Sequence, residues 1–302
     1  MAKRGPGARK LYRTIGYPLQ AVVAWLVVEL FSALPMDWAS GLGGWIGRTI
    51  GPRLGLTRRA DRNLKRVLPD SSDAQVAAII RDMWDNLGRV VGELPHLQKI
   101  SLPTPQGRVE VVGEQHIDSS RRNGTACILF SGHFANWEVF ALAARAIGLP
   151  YAQIYRAPNN PFVDSLLHRI RGLDVSDTVP KGAKGARAAV KTLKSGRRLG
   201  MLVDQKMNNG IPVPFFGFDA MTASAPADLS LRYNCPAIPA RIERLGGCHF
   251  RLTFYPPLTP PETGNRTTDS AAMMLAVNSL LEDWIRDRPG QWLWLHNRWP
   301  DA

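Results

Sequence analysis

Cysteine is scarce in this chain, and the spacings that hold metals are missing. The 302 residues include only Cys127, Cys235 and Cys248, an odd number of cysteines that lie far apart. No Cys-x-x-Cys or His/Cys pair points to zinc, and nothing points to a disulfide framework. The sequence therefore predicts a reduced, cytosolic catalytic part without a metal, in which Cys127 is a core residue of an apolar strand.

Signatures of nucleotide and nucleic-acid binding are missing as well. The sequence has no dinucleotide fingerprint, no recognition-helix pattern and no interleaving of basic with aromatic residues. It also has no internal repeat, low-complexity tract or flexible linker. We therefore expect no cofactor, no nucleic-acid partner, and one catalytic domain after an N-terminal segment.

Acidic residues are outnumbered by basic ones, chiefly near the N-terminus. The net charge is +13, and residues 1–66 hold twelve Lys/Arg against three Asp/Glu, a net of +9. Basic residues beside an apolar segment favour an anionic lipid partner over nucleic acid. A solvated basic tail is the plain alternative.

An apolar run follows the basic start. Residues 15–34 are mostly apolar, and about 20 such residues are enough to cross a bilayer. Both flanks are positive, so the positive-inside rule gives no orientation. A cleaved signal peptide is the alternative, but Glu29 and the missing small-x-small site count against it. Tryptophan and isoleucine among glycines and arginines in residues 41–56 predict an interfacial amphipathic segment.

These features predict two parts. Residues 1–66 form a basic, membrane-associated segment, and residues 67–302 form the catalytic domain. A capping box at Ser72–Gln75 precedes an amphipathic helix that Pro95 ends. Beyond it, strands (108–112, 126–130, 151–155, 199–204, 237–243, 249–255) alternate with helices (138–147, 161–171, 182–193, 226–232, 268–286). The alternation predicts an α/β fold with a mixed or parallel sheet flanked by helices.

The central feature is the stretch His133-Phe-Ala-Asn-Trp-Glu138. An apolar strand ends before Ser131-Gly132, and a helical pattern begins at Glu138, so His133 lies at a strand-to-helix junction. The helix N-terminus favours an ionised Glu138. A carboxylate beside an imidazole fixes its tautomer and stabilises its positive charge, and no protein nucleophile is evident. We therefore predict that His133, oriented by Glu138, is the base that activates a substrate hydroxyl.

Further polar residues follow predicted strands, at the edge of the sheet where ligands bind in α/β folds. Arg156 follows one strand and is suited to binding a phosphate or polarising a thioester carbonyl. Asp204 and Gln205 follow another and are suited to positioning the acceptor or the catalytic loops. Asn136, near the helix N-terminus, is expected to add donors to a developing oxyanion.

The hexapeptide resembles the signature of the lipid A late acyltransferases, which are lauroyl and myristoyl transferases within the lysophospholipid acyltransferase superfamily. That superfamily usually has Asp at the second motif position, so Glu138 indicates the lipid A branch. Other matching segments are Arg156–Asn160, Asp204-Gln205, Phe215-Phe216-Gly217 and the aromatic residues 291–300. One departure is Ala135, where the family commonly has glycine, and a positive φ there would strain the backbone.

The resemblance implies a glycerolipid-acyltransferase-like fold and transfer of a fatty acyl chain from acyl carrier protein to a hydroxyl of a lipid A precursor. The expected partners are that acidic carrier protein, the anionic glycolipid acceptor and the membrane surface. The expected location is the cytoplasmic face of a bacterial inner membrane. The Pro/Phe/Gly run at 212–217 is interpreted as an apolar wall for the acyl chain, and His296 as a structural hydrogen-bonding residue.

Three other readings stay open from the residues alone. The acceptor is a different lipid, such as a glycolipid, lysophospholipid or aminolipid, with the same catalytic pair. Alternatively, the chain is a non-catalytic lipid-binding or lipid-transfer protein, although pure binding does not require a base. A metal hydrolase is the most distant reading, because His133 and Glu138 lack a third ligand.

Overall fold

The computed structural model describes residues 12–100, 107–172, 177–180 and 182–299. The basic start at residues 1–11 lies outside these ranges, as does residue 300 of the aromatic C-terminal segment. The helices are α1 Tyr17–Ser32, α2 Met36–Ile50, α3 Thr57–Val67, α4 Asp73–Glu93, α5 Leu97–Ile100, α6 Asp118–Asn123, α7 Trp137–Ala146, α8 Pro161–Arg171, α9 Ala183–Lys194, α10 Ala225–Tyr233 and α11 Arg266–Asp287. The strands are β1 Val109–Val112, β2 Ile128–Ser131, β3 Tyr151–Tyr155, β4 Thr178–Pro180, β5 Arg198–Leu202, β6 Ile211–Phe215, β7 Phe218–Thr222, β8 Ala237–Gly246 and β9 His249–Phe254.

Seven strands form one sheet in the order β1-β9-β8-β2-β5-β3-β4. The five strands from β8 to β4 run parallel, whereas β9 pairs antiparallel with β8 and parallel with β1. The sheet is therefore mixed, as the alternation of elements predicted. Because the parallel strands point the same way, the segments that follow β2, β3 and β5 emerge at one edge.

The sheet core explains why these segments are strands. All four residues of β2 are buried, as are the first eight of β8. Parallel strands covered on both faces are expected to be apolar throughout rather than alternating. Helices packed on the sheet supply that cover, so β2 lies deep in the protein and its end is a rigid place from which to present a side chain.

The Pro/Phe/Gly run takes a different place from the one expected. It forms β6, which pairs with β7 across a turn in which Phe216 and Gly217 have φ of 52° and 75°. Phe215 and Phe216 are buried and pack against Trp299. These aromatic side chains therefore belong to the core near the C-terminus and do not form an open apolar wall.

The predicted interfacial segment becomes α2, which lies very close to α4. A Cβ on Gly43 would be 2.3 Å from the carbonyl oxygen of Gly88, and a Cβ on Gly47 would be 2.1 Å from that of Trp84. Only glycine permits this approach. The opposite side of the segment carries large exposed apolar side chains, with Trp38 73% and Trp45 53% exposed. The segment is thus fixed to the catalytic part and still offers an apolar surface.

One helical stretch of the described chain, Tyr12–Ser32, is long and apolar enough to cross a membrane by length and composition. Only 6% of its most apolar window is buried inside the protein. It packs against α8, where Asn160 donates a side-chain hydrogen bond to the Tyr17 carbonyl at 2.8 Å. Helix α3 joins the main core through Ala60 and Leu64. The division of the chain at residue 66 stays a prediction.

Candidate active site

His133 lies immediately beyond the end of β2, as the sequence predicted. Its nearest carboxylate is Asp204, which follows β5. Ser131 and Leu202 are register partners in the adjacent parallel strands, so the residues two positions further on leave the sheet side by side. The Asp204 carboxylate accepts a hydrogen bond from the His133 main-chain N–H at 2.7 Å, and its other oxygen lies 2.7 Å from His133 Nδ1.

The contact expected between Glu138 and His133 is not formed. Glu138 is the second residue of α7, and its carboxylate makes two hydrogen bonds of 2.7 Å to the guanidinium of Arg171 on α8. A regular helix begins between the two motif residues, so Glu138 projects toward α8 rather than back over His133. The expectation that Glu138 orients His133 directly is therefore corrected: Asp204, from a neighbouring strand, makes that contact.

Hydrogen bonds around the imidazole assign its tautomer. Asp204 is an acceptor beside Nδ1, so Nδ1 carries the proton. Gln205 Nε2 lies 3.1 Å from His133 Nε2 and donates to it, so Nε2 has the lone pair. The imidazole is thus held with its basic nitrogen toward the cavity, the geometry that a general base requires.

Asp204 is fully buried, and Trp292 Nε1 donates to its Oδ2 at 2.8 Å. Burial alone would raise the pKa of Asp204. The charge of the His133 ring in its protonated form and its hydrogen bond, with smaller contributions from His296 and the His133 main-chain N–H, outweigh burial and hold the pKa of Asp204 well below its usual value. Asp204 is therefore an anion that stabilises positive charge on His133.

The Gln205 amide also reaches a second histidine. Gln205 Nε2 lies 3.1 Å from His296 Nε2, and the rings of His296 and His133 are 5.0 Å apart between centroids. His296 thus makes the structural hydrogen bond that the sequence predicted, but it does so inside the cavity, beside the base. Its position among three tryptophans of the C-terminal segment was the only available signal.

The backbone of the motif turn is held from outside. Ala135 has φ of 44°, so the strain expected from alanine at this position is present. Its N–H donates to the Gln291 carbonyl at 2.9 Å, and its own carbonyl accepts from Asn86 Nδ2 at 2.9 Å. Leu293 N–H also donates to the His133 carbonyl at 3.2 Å. The C-terminal segment and α4 together fix the conformation of the turn.

Asn136 does not face the cavity. It is fully buried and caps α7, with its Oδ1 accepting from the Glu138 N–H at 3.1 Å. Its Nδ2 donates to Glu93 Oε2 at 2.8 Å. Since both side-chain groups are bonded inside the protein, the expectation that Asn136 supplies donors to a substrate oxyanion is corrected to a structural role.

A buried polar network, which was not predicted from the sequence, lies beneath the turn. Glu93, at the end of α4, is fully buried and pairs with Arg244 of β8. Ser40 Oγ donates to Glu93 Oε1 at 2.6 Å, and Arg244 Nε donates to Asn86 Oδ1 at 3.0 Å. The network thereby joins α2, α4 and β8 to Asn136 and to the Ala135 carbonyl. A glutamate within an apolar helical stripe was the only local hint.

The open space in front of His133 Nε2 is a cavity of about 400 Å³ at the carboxyl edge of the sheet. Arg156 is exposed at this cavity, as expected from its place after β3. The side chains that line the cavity are those of His133, Trp137, Glu138, Gln153, Ile154, Tyr155, Arg156, Arg171, Leu202, Gln205 and His296. The structure thus brings together five predicted site residues around the cavity, namely His133, Glu138, Arg156, Gln205 and, directly behind His133, Asp204.

One side of the cavity is a charged cluster. The Arg171 guanidinium lies 4.9 Å from the centre of the Tyr155 ring, and Tyr155 donates to Asp164 at 2.7 Å. Burial, followed by this hydrogen bond, raises the pKa of Tyr155 to about 12. Glu138 keeps Arg171 charged, because its negative charge outweighs the effect of burial and raises the pKa of Arg171. The wall therefore presents the Glu138–Arg171 ion pair, the Arg156 cation and a neutral phenol. In the described residues, no group of three or more His, Cys, Asp or Glu is arranged to hold a metal.

Comparison with known proteins shows which family shares this sequence. Residues 8–301 match the model of a family described as bacterial lipid A biosynthesis acyltransferase. The chain is similar to the lipid A biosynthesis lauroyltransferase of Escherichia coli K12, with 25% identity over 91% of this chain and 88% of that protein. It is also similar to a lipid A biosynthesis acyltransferase of Haemophilus influenzae, with 23% identity over 88% and 83%, and to the lipid A biosynthesis myristoyltransferase of E. coli K12, with 24% identity over 90% and 85%.

A solved structure, the 1-acyl-sn-glycerophosphate acyltransferase PlsC from Thermotoga maritima, aligns with 94% of this chain and 100% of its own at 12% identity and a TM-score of 0.40. That likeness is distant. The family model, in contrast, matches almost the whole sequence, including every residue of the cavity. The chain belongs to the bacterial lipid A biosynthesis acyltransferase family.

Proposed function

We propose that the protein transfers a fatty acyl chain from an acyl-carrier-protein thioester to a hydroxyl group of a lipid A precursor. The observation that carries this proposal is the pairing of His133 Nδ1 with Asp204 while Nε2 contacts Gln205, which lines the cavity together with His133. Such an arrangement suits removal of a proton from a substrate hydroxyl and has little use in a protein that only binds lipid.

In the proposed reaction, His133 Nε2 takes the proton from the acceptor hydroxyl as its oxygen attacks the thioester carbonyl. The new C–O bond gives a tetrahedral oxyanion, which collapses with cleavage of the C–S bond. The departing thiolate takes the proton from the imidazolium, which restores neutral His133. Asp204 stabilises that imidazolium throughout. The Gln205 amide, which donates to Nε2 in the free protein, gives up this hydrogen bond to the acceptor hydroxyl. No covalent acyl-enzyme forms.

Charged groups of the cavity wall support an anionic acceptor. Arg156 is exposed at the cavity and binds a phosphate of the acceptor or supports the oxyanion. Glu138 acts through Arg171, whose guanidinium it fixes by two hydrogen bonds. Glu138 is thus proposed as a positioning residue on the substrate side of the cavity.

The proposed location is the cytoplasmic face of the bacterial inner membrane. The apolar stretch Tyr12–Ser32 and the exposed tryptophans of α2 support contact with a bilayer. An acyl carrier protein as donor requires the catalytic part to face the cytosol, and the three free, buried cysteines agree with a reducing compartment. Transfer to another lipid acceptor would use the same base and is tested together with the main proposal.

The test uses the full chain in detergent, a phosphorylated lipid A precursor and carrier proteins loaded with C10 to C16 chains. We expect product from the wild type with a preferred chain length, and none above background from His133→Ala. Binding of the precursor should survive in His133→Ala, which separates catalysis from lipid binding. Equal product from the variant would refute the assigned base, and product only with other lipids would replace the acceptor.

A further inference from the structure

Helix α9 carries a stripe of cations that the proposed chemistry does not use. Lys184, Arg187, Lys191 and Lys194 follow one another at intervals of three, four and three residues, so they lie on one face of the helix. All four are exposed, and α9 contains no Asp or Glu. Within the described ranges, no carboxylate forms an ion pair with any of them; Asp177, nearby in sequence, pairs with Arg145 and Arg197.

The stripe begins beside the cavity. Strand β4 pairs with β3 so that Pro180 is the register partner of Tyr155, which lines the cavity. Helix α9 starts three residues later and packs on the end of β4: a Cβ on Gly185 would be 1.4 Å from the Pro180 carbonyl oxygen. Lys184 lies in the first turn, so the stripe runs from the cavity edge of the sheet toward the opposite edge.

The stripe also lies on the face of the sheet away from the apolar helix. The connections from β2 to β3 and from β3 to β4 run one way across the sheet, whereas the connection from β4 to β5 returns. Right-handed crossovers then place α9 on the opposite face from α7 and α8. Accordingly, α9 contacts α10, while α1 contacts α8.

The exposed side chains of α9 also differ in kind from those of α1 and α2. Helices α1 and α2 expose large apolar side chains, including Trp25, Trp38 and Trp45, while the described side chains of α9 include no exposed large apolar residue. A surface that inserts into a bilayer combines cations with apolar groups. Cations alone, on a rigid helix, match an acidic partner that approaches through water.

We propose that this stripe, Lys184, Arg187, Lys191 and Lys194, is the docking surface for the acidic carrier protein that presents the acyl thioester to the cavity. The inference rests on the proposed function, because it takes a protein-bound thioester as the donor. Its geometry allows the carrier to approach from one face of the sheet while the lipid acceptor reaches the cavity from the other. Neither substrate then blocks the other.

The test reverses the two charges nearest the cavity in the full-length protein in detergent. Lys184→Glu/Arg187→Glu should not disturb α9, because acidic residues near a helix N-terminus are favourable. We expect the KM for acyl carrier protein, and the Kd for the same protein in a binding assay, to rise at least about tenfold, mainly through slower association. The KM for the lipid acceptor should not change.

The matched control is Arg232→Glu/Arg266→Glu, which changes the net charge equally at two exposed positions outside the stripe. It should bind the carrier like the wild type, and both variants should bind anionic vesicles equally. Unchanged carrier affinity in the stripe variant would overturn the proposal, as would loss of vesicle binding, which assigns the stripe to lipid. If the wild type does not bind the carrier but transfers acyl groups from another thioester in a His133-dependent way, the carrier is not the donor, and both the donor assignment and the docking surface fail.

Discussion

Asp204 and His133 are joined by two contacts of 2.7 Å, one to the imidazole Nδ1 and one from the main-chain N–H, although 71 residues separate them in sequence. A single carboxylate thus sets both the rotation of the ring and the position of its backbone. Trp292 donates to the same carboxylate from a third element. Asp204 is consequently the residue whose charge matters most to the proposed base.

Replacing Asp204 by Asn tests that relationship. The amide preserves shape but removes the negative charge that stabilises the imidazolium. We therefore expect kcat to fall by up to about 10⁴-fold, the size seen when a histidine loses its carboxylate partner in a hydrolase triad. Steady-state transfer assays measure this. Asp219→Asn, at an exposed position of β7, is the control and should keep full activity. A loss of less than tenfold in Asp204→Asn would contradict the assignment.

Glu138 and Arg171 should behave as one unit. Glu138→Gln and Arg171→Gln each disrupt the paired guanidinium at the cavity wall, and we expect each to reduce kcat/KM by about tenfold to a hundredfold. Because they break the same pair, the double variant should be little worse than either single variant. If the two losses multiply independently, or if Arg171→Gln has no effect, Glu138 acts on something other than Arg171.

The lowered pKa of Asp204 predicts how stability depends on acid. A carboxyl whose pKa is lower in the folded than in the unfolded protein stabilises the fold above its unfolded pKa of about 3.9, and this contribution is lost as the pH falls through the folded pKa. Wild type in detergent should therefore lose more free energy of unfolding below about pH 4 than Asp204→Asn does. If the free energy of unfolding changes with pH in the same way in both proteins, Asp204 has no such lowered pKa.

Ala135 offers a test of backbone strain in the motif turn. Glycine would relieve a cost of about 1–2 kcal/mol for left-handed φ but would add about 0.5–1 kcal/mol of flexibility in the unfolded chain, so Ala135→Gly should change the free energy of unfolding by no more than about 1.5 kcal/mol. Ala135→Val places a β-branched residue at φ of 44° in a fully buried site and should cost more than about 2 kcal/mol. Thermal unfolding in detergent measures the stability of both variants. If Ala135→Val is as stable as the wild type, the backbone at residue 135 is not strained.

The sequence predicted what depends on local pattern. Residues 151–155 and 161–171 form the strand and helix expected of them, and Ser72 and Gln75 form the expected capping box. His133 was also located correctly at a strand-to-helix junction. In each case a short run of residues determines the outcome through periodicity, capping or turn preference.

The predicted partner of His133 was wrong because the true partner is determined by the order of strands in the sheet. Glu138 is near in sequence, but β2 lies beside β5, and only that neighbourhood places Asp204 at the imidazole. His133 and Asp204 were both recognised as site candidates that follow predicted strands. The local sequence, however, does not show which strands are adjacent in the sheet. The pair of Glu93 with Arg244, 151 residues apart, depends even more on the assembled fold.

The hydrogen bond from Asn160 to Tyr17 ties the start of the apolar helix to the loop that carries Arg156. If that helix lies in a bilayer, the loop is held at a fixed height near the head groups. With the phosphate-binding role proposed for Arg156, a lipid acceptor places its phosphate there from the head-group layer, while its hydrocarbon chains stay among those of neighbouring lipids. The energetic cost of extracting a many-chained lipid into water is thereby avoided.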